Sequence, residues 1–205
     1  MPLIRKTPGA TPPASASSPA TALRDGTPDE RWAAARSLAT PADVDALGQA
    51  LATEPDPRVR EAILTSLARI DSREAAAAVI PHIRSDDAAL RTAALDALRA
   101  MAQASGAALP DLLGDADSDV RVLACEVVRA SPDPRATRLL CDLLDRDPEP
   151  NVCAAAIDVL AEVGGPDALP ALNRCAERFP DQPFLAFSAK VAMDRISPQN
   201  GGRLG

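Results

Sequence analysis

The feature that most constrains this chain is a helix-start motif that recurs at a nearly constant interval. Its clearest copy opens with Asp56, which suits a helix N-cap, and Pro57, which suits the first helical position. The apolar residues that follow are spaced i, i+3, i+4, i+7 and i+8, which predicts a helix with one buried face. Related stretches begin at Asp87, Asp117 and Glu149, and a weaker copy begins at Thr27. The residues aligned at the fourth position (Val59, Leu90, Val120 and Val152) are 31, 30 and 32 apart.

A period of this length predicts stacked repeats that share one continuous core. Phe and Trp together supply four residues and Tyr none, so small side chains would let helices approach closely. We therefore predict an all-α solenoid over residues 23–197, with about five helix pairs and a closing C-terminal helix. Residues 1–22, rich in Pro, Ala, Ser and Thr, are predicted to be a disordered tail, either plain or a tether for a docking peptide. Residues 198–205 are predicted to fray.

Several positions carry more specific expectations. Trp32 is predicted to cover the amino end of the stack, and Phe184 and Phe187 to form a lid at the other end or, alternatively, to anchor a partner. Prolines inside the second helices are expected near the helix starts, where a missing N–H is harmless; they are Pro81, Pro110 and Pro170. Arginines that recur at one position (Arg31, Arg60, Arg91 and Arg121) predict a ladder with acidic residues, favoured as a stacking device over a binding row. As surface pairs they would contribute about 0–1 kcal/mol each.

The motif Asp-Pro-x-Val-Arg-x-Ala at residues 56–62, followed by helices with the pattern Ala-Leu-Pro-x-Leu, resembles HEAT repeats of the phycobilisome-lyase type. The resemblance covers roughly residues 27–196; the final unit, around Phe184, lacks the Val-Arg pair. It implies a right-handed superhelix of antiparallel helix pairs whose second helices line a concave surface that binds other proteins. Many members of the family are small bacterial proteins.

The charge and composition of the chain limit the cellular locations and the classes of partner to be expected. The formal net charge is −7, which disfavours nucleic acid and anionic membranes as partners. No apolar run is long enough to span a membrane, and the N-terminus lacks the apolar region of a secretory signal. The four cysteines form no CxxC pair, which is typical of small buried side chains in a reducing compartment. We expect a cytoplasmic protein and a monomer.

Some enzymes are built on related repeats and need residues that can be sought in this sequence. Di-iron deoxyhypusine hydroxylases carry several His-Glu pairs as metal ligands, whereas His82 is the only histidine of this chain. HEAT-like DNA glycosylases need a basic, aromatic concave face, which the negative charge disfavours. We predict no catalytic residue, no metal ligand and no cofactor. The open enzymatic alternative is a bilin lyase-like protein, which handles the chromophore of phycobiliproteins.

The sequence thus favours a non-catalytic scaffold or adaptor that binds a protein or peptide on the concave surface of a repeat stack. Our candidates for the binding row are His82, Asp111, Asp142 and Arg174, one from each of four predicted second helices. Their mixed charge would favour orientation and specificity over affinity. A place in a bacterial regulatory or signalling assembly is a hypothesis taken from the type of protein.

Overall fold

The computed structural model describes residues 18–197, and every regular element in that range is helical. The α-helices are α1 (Pro19–Asp25), α2 (Pro28–Ser37), α3 (Val44–Leu51), α4 (Pro57–Ile70), α5 (Arg73–Val79), α6 (Ala88–Ala100), α7 (Ala102–Ser105), α8 (Leu109–Leu112), α9 (Ser118–Ala130), α10 (Ala136–Arg146), α11 (Pro150–Val163), α12 (Leu169–Arg178) and α13 (Pro183–Ile196). Short 3-10 helices span Pro41–Asp43, Ile80–Arg84, Gly106–Ala108 and Pro166–Ala168.

These helices form two layers. The first-helix layer consists of α2, α4, α6, α9, α11 and α13, each packed against the next along the chain. The second-helix layer consists of α3, α5, α7 with α8, α10 and α12, which alternate with the first helices in sequence. Contacts between neighbouring repeats therefore run through the whole stack. The prediction of an all-α solenoid is confirmed, while the handedness of its superhelix stays a prediction.

Local chemistry explains where the first helices begin. The Asp56 carboxylate accepts a hydrogen bond from the Arg58 N–H at 2.8 Å, and Asp87 and Asp117 cap α6 and α9 in the same way. At α2, Thr27 and Glu30 form a reciprocal capping box. Each cap satisfies N–H groups that have no partner within the helix. The recurring motif is thus a set of helix starts.

The core is one continuous cluster that runs the length of the stack. Leucine and alanine dominate it, and side chains such as Leu47, Leu98 and Leu143 are fully buried between layers. Burial of each such leucine stabilises the fold by about 1.5–3 kcal/mol. Because a single helix pair leaves one side of its apolar face uncovered, each repeat depends on its neighbours.

The ends of the stack differ from the predictions. Helix α1 begins at Pro19, so residues 19–22, assigned above to the tail, are helical; it packs against α2 and α3 and buries Leu23. Residues 1–17 and 198–205 lie outside the described residues. The prediction of Trp32 as an end cap is wrong, because its ring lies between α2 and α4. The predicted phenylalanine lid is also wrong: Phe184 and Phe187 are 43% and 70% exposed.

Only some prolines lie where they were expected. Pro170 and Pro110 stand in the first turns of α12 and α8. Pro81 instead falls after Val79, where the α-helix gives way to the 3-10 helix Ile80–Arg84. A proline in mid-helix cannot donate to the carbonyl four residues earlier and its ring clashes there, so the helix changes form.

Ion pairs join three of the repeats to the segment that leads into the next. Three of the four predicted ladder arginines bind such a carboxylate: Arg31 binds Glu54 at 2.8 Å, Arg60 binds Asp87 at 2.8 Å and Arg121 binds Asp147 at 2.7 Å. Arg91 differs and donates to the Ser85 carbonyl at 2.6 Å. The guanidinium groups are engaged within the fold, which favours the stacking role. The pair of Arg121 with Asp147 is buried and that of Arg31 with Glu54 is partly buried, so the surface value of about 0–1 kcal/mol does not apply to them.

Candidate functional site

The four predicted binding residues lie in the second-helix layer, one in each of four consecutive repeats. His82 lies in the 3-10 helix that follows α5, Asp111 in α8, Asp142 in α10 and Arg174 in α12. The last three are exposed and His82 is half-buried. We call the outward side of these helices the second-helix face.

Asp111 and Asp142 project from the second-helix face because their neighbours in sequence are buried. In α8, Leu109 and Leu112 enter the core, which leaves Asp111 on the outer side of this single turn. Within residues 18–197 no arginine, lysine or histidine lies within salt-bridge distance of it. Asp142 lies 4.0 Å from the Nε of Arg138, the outer limit of an ion pair. Both carboxylates are therefore accessible to a partner.

Arg174 is tied to the neighbouring repeat. Its Nε and Nη2 donate to the two carboxylate oxygens of Asp145 at 2.9 and 2.7 Å, which joins α12 to α10. The hydrogen bonds from Arg174 hold the pKa of Asp145 below its ordinary value, and burial opposes them only in part. Arg174 thus contributes to repeat stacking, and its positive charge on the second-helix face is balanced by Asp145.

His82 contributes little charge at neutral pH. Partial burial between neighbouring repeats lowers the pKa of its imidazole from the ordinary value of 6.5, because desolvation disfavours the cation. The ring is then neutral at pH 7 and presents a polar edge. With His82 neutral and Arg174 balanced, the four predicted residues together carry an acidic character where a mixed one was expected.

Two further charged residues of α10 belong to the second-helix face. Arg138 and Asp145 flank Asp142 at helical spacing, so the three residues lie on one outward stripe. The i, i+4, i+7 spacing was visible in the sequence, and it would have identified the stripe. Arg146, one residue beyond Asp145, donates from Nη2 to the Leu113 carbonyl at 3.2 Å and anchors α10 to the preceding repeat. That contact depends on the fold and left no signal in the sequence.

The second-helix face presents the exposed carboxylates of Asp111 and Asp142. Among residues 18–197, no cluster of three or more histidine, cysteine or acidic side chains is placed to hold a metal ion. None of the described helices has the length and apolar character needed to cross a membrane. Carboxylates on a preformed helical layer can accept hydrogen bonds and pair with cations of a partner.

Comparisons with known proteins agree with this architecture. The family model for HEAT repeats matches residues 18–99 and 106–186, most of the chain. A chain from a structural study of microtubule plus-end tracking by XMAP215, CLIP-170 and EB1 superposes with a TM-score of 0.62 at 14% identity, covering 88% of this chain and 90% of that one. No curated protein matches the sequence significantly.

Two other solved structures show weaker likeness. Computationally designed armadillo repeat proteins for modular peptide recognition give a TM-score of 0.42 at 16% identity, with 87% of this chain and 98% of theirs covered. The CpcE–CpcF phycocyanin lyase of Nostoc sp. PCC7120 gives 0.38 at 19% identity, with 95% and 100% covered. At these scores neither carries an argument about function, and the predicted phycobilisome-lyase type stays a prediction. With two matched blocks, a continuous core and alternating helix layers, the chain belongs to the HEAT repeat family.

Proposed function

We propose that this protein is a non-catalytic interaction scaffold that binds a partner protein or peptide on its second-helix face. The observation that supports the proposal is the accessibility of Asp111 and Asp142, which project from consecutive repeats and have no short ion pair within residues 18–197. Many other charged side chains of the stack are engaged in contacts between repeats. The HEAT repeat fold generally mediates protein interactions.

The second-helix face binds as a surface that is already ordered before the partner arrives. A continuous core fixes the second helices before the partner arrives, so little conformational entropy is lost on binding. The exposed carboxylates then select a partner with complementary cations and set its orientation. This predicts a partner surface that carries lysine or arginine opposite α8 and α10.

A charge-reversal pair tests the proposal. The double variant Asp111→Lys/Asp142→Lys is compared with a control that reverses two exposed carboxylates of the first-helix layer, Asp96→Lys/Asp194→Lys. Partner capture from the source cell, quantified by mass spectrometry, should lose partners in the first variant and keep them in the second. Equal capture by both variants and the native protein would contradict the role of the second-helix face.

Other expectations stay predictions with tests of their own. A bilin lyase-like activity would shift the visible spectrum of free bilin on mixing with stoichiometric protein, and a scaffold would leave it unchanged. Light scattering reports whether the protein is a monomer, and fractionation of the source cell reports whether it is cytoplasmic.

A further inference from the structure

A polar groove lies on the side of the molecule opposite the second-helix face, between α2 and α4 of the first-helix layer. Its volume is about 430 Å³. The indole of Trp32 forms one wall, flanked by the guanidinium carbons of Arg36 at 4.7 Å and Arg58 at 6.0 Å from the ring centroid. Arg69 lines the far end, where its Nη1 lies 3.4 Å from the Arg36 carbonyl. We call this the Trp32 groove.

Small residues create the groove. Ala62 and Ser66 of α4 face α2, and the Ser66 hydroxyl donates to the Ala35 carbonyl at 2.7 Å. The two helices therefore approach closely, and the polar group at the floor is satisfied. The larger side chains of Trp32 and the arginines rise at the sides and leave a cleft that is open to solvent.

The charge of the Trp32 groove is unusual for this molecule. The protein carries 29 acidic and 22 basic residues, yet three arginines and only one carboxylate, that of Glu61, line this groove. Arg58 lies 3.5 Å from Asp29, while Arg36 and Arg69 have no carboxylate within 4.0 Å in the described part of the chain. Many other arginines of the stack, among them Arg31, Arg121 and Arg129, bind carboxylates of the protein itself.

The next groove along the same layer provides an internal comparison. It lies between α4 and α6 and has a similar volume of about 400 Å³. Alanines form half of its lining, together with Leu64, Thr65, Glu61 and Asp96, and no arginine lines it. Arginine recurs in the last turn of the first helices, at Arg36, Arg69, Arg99 and Arg129. What distinguishes the Trp32 groove is that two of these arginines meet there with Trp32 and Arg58.

We propose that the Trp32 groove binds an acidic peptide segment of a partner protein, with carboxylates on Arg36 and Arg69 and an apolar side chain against the indole. Tryptophan and arginine are the residues that most often dominate binding energy at protein interfaces. A guanidinium group matches the two oxygens of a carboxylate in one plane. Three cations on a net acidic protein are too few to hold a nucleic acid, which requires a longer basic track. This surface is separate from the second-helix face.

The single tryptophan of the chain makes the groove directly observable. The probe is the peptide acetyl-Glu-Glu-Leu-Glu-Glu-amide, titrated while Trp32 fluorescence is recorded. We expect a saturable change with this peptide, none with its glutamine analogue, and weaker binding as salt concentration rises. A phosphoserine analogue of equal net charge should bind no more tightly.

Two variants test whether the peptide binds in the Trp32 groove. Arg36→Gln/Arg69→Gln should weaken binding of the peptide by about tenfold or more, since the variant loses two charged hydrogen-bond donors. The control Arg99→Gln/Arg135→Gln removes two exposed arginines elsewhere and should bind as the native protein does. Far-UV circular dichroism verifies that each variant is folded.

Three outcomes would overturn the proposal: no saturable change with the native protein, equal affinity in the Arg36/Arg69 variant, or binding by the phosphoserine analogue alone. The Asp111→Lys/Asp142→Lys variant should still bind the peptide. The experiments therefore test peptide binding in the Trp32 groove separately from partner binding on the second-helix face.

Discussion

Replacement of Arg121 tests whether buried ion pairs join successive repeats. Its Nε and Nη2 donate to both carboxylate oxygens of Asp147 at 2.7 and 3.0 Å, and its Nη1 donates to the Asp115 carbonyl at 2.8 Å. The two side chains are only 10% and 3% exposed. The variant Arg121→Met keeps the apolar stem but leaves the Asp147 carboxylate buried, with the N–H of Glu149 as its remaining hydrogen-bond donor.

The burial of this ion pair determines how much stability the Arg121→Met variant should lose. Removal of one partner of a buried pair leaves an uncompensated charge and costs about 3–5 kcal/mol of unfolding free energy. Asp147→Asn still offers an acceptor to the Glu149 N–H, so the double variant Arg121→Met/Asp147→Asn removes both charges together. We expect it to be more stable than Arg121→Met, with a coupling energy of about 2 kcal/mol.

Urea denaturation followed by far-UV circular dichroism measures these differences. The control is Lys190→Met, which breaks the pair of Lys190 with Asp194 on α13, where both side chains are about 70% exposed. It should cost about 0.5 kcal/mol or less. If Arg121→Met destabilises the protein no more than this control does, the buried pairs do not hold the repeats together.

Three further results are expected. Burial raises the pKa of Glu54, but hydrogen bonds from Arg31 and a backbone N–H outweigh it and leave the pKa below the ordinary 4.5. The contribution of Glu54 to stability is therefore complete above pH 4.5 and is lost as the pH falls through the lower pKa of the folded protein. The melting temperature should drop in that acidic range and not between pH 6 and 7. Gly164→Ala would place a Cβ 2.4 Å from the Leu160 carbonyl oxygen and should destabilise the protein by about 1–3 kcal/mol. The Cβ of Gly165→Ala meets nothing within 4 Å, so this variant should be neutral or slightly stabilising. Thermal melts of the two variants measure the difference. Burial raises the pKa of Cys125 to about 12, so a thiol reagent at pH 8 should modify it only after unfolding; rapid modification of the native protein would contradict its burial.

Much of the fold could be predicted because its signals are local. The caps at Asp56, Asp87 and Asp117 act within one helical turn, and the apolar spacing after them directly determines which face is buried. The period then places one helix start per repeat. The outward positions of Asp111 and Asp142 follow from the same periodicity.

Other features depend on how the repeats meet, and the sequence alone did not show them. Cys153 occupies the ladder position in the fifth repeat, where the earlier repeats carry arginine. Instead Arg178, at the end of α12, donates to the Asp147 carbonyl at 2.6 Å and lies 3.4 Å from the Cys153 sulfur. The partner of Arg174 and the position of Trp32 between two helices are likewise tertiary properties.

Hydrogen–deuterium exchange of the native protein with its captured partner tests the central claim most directly. The account predicts that the partner slows exchange in α8, α10 and α12 and around His82, and leaves α6, α9 and α11 unchanged. Slower exchange confined to the first-helix layer would contradict the proposed role of the second-helix face.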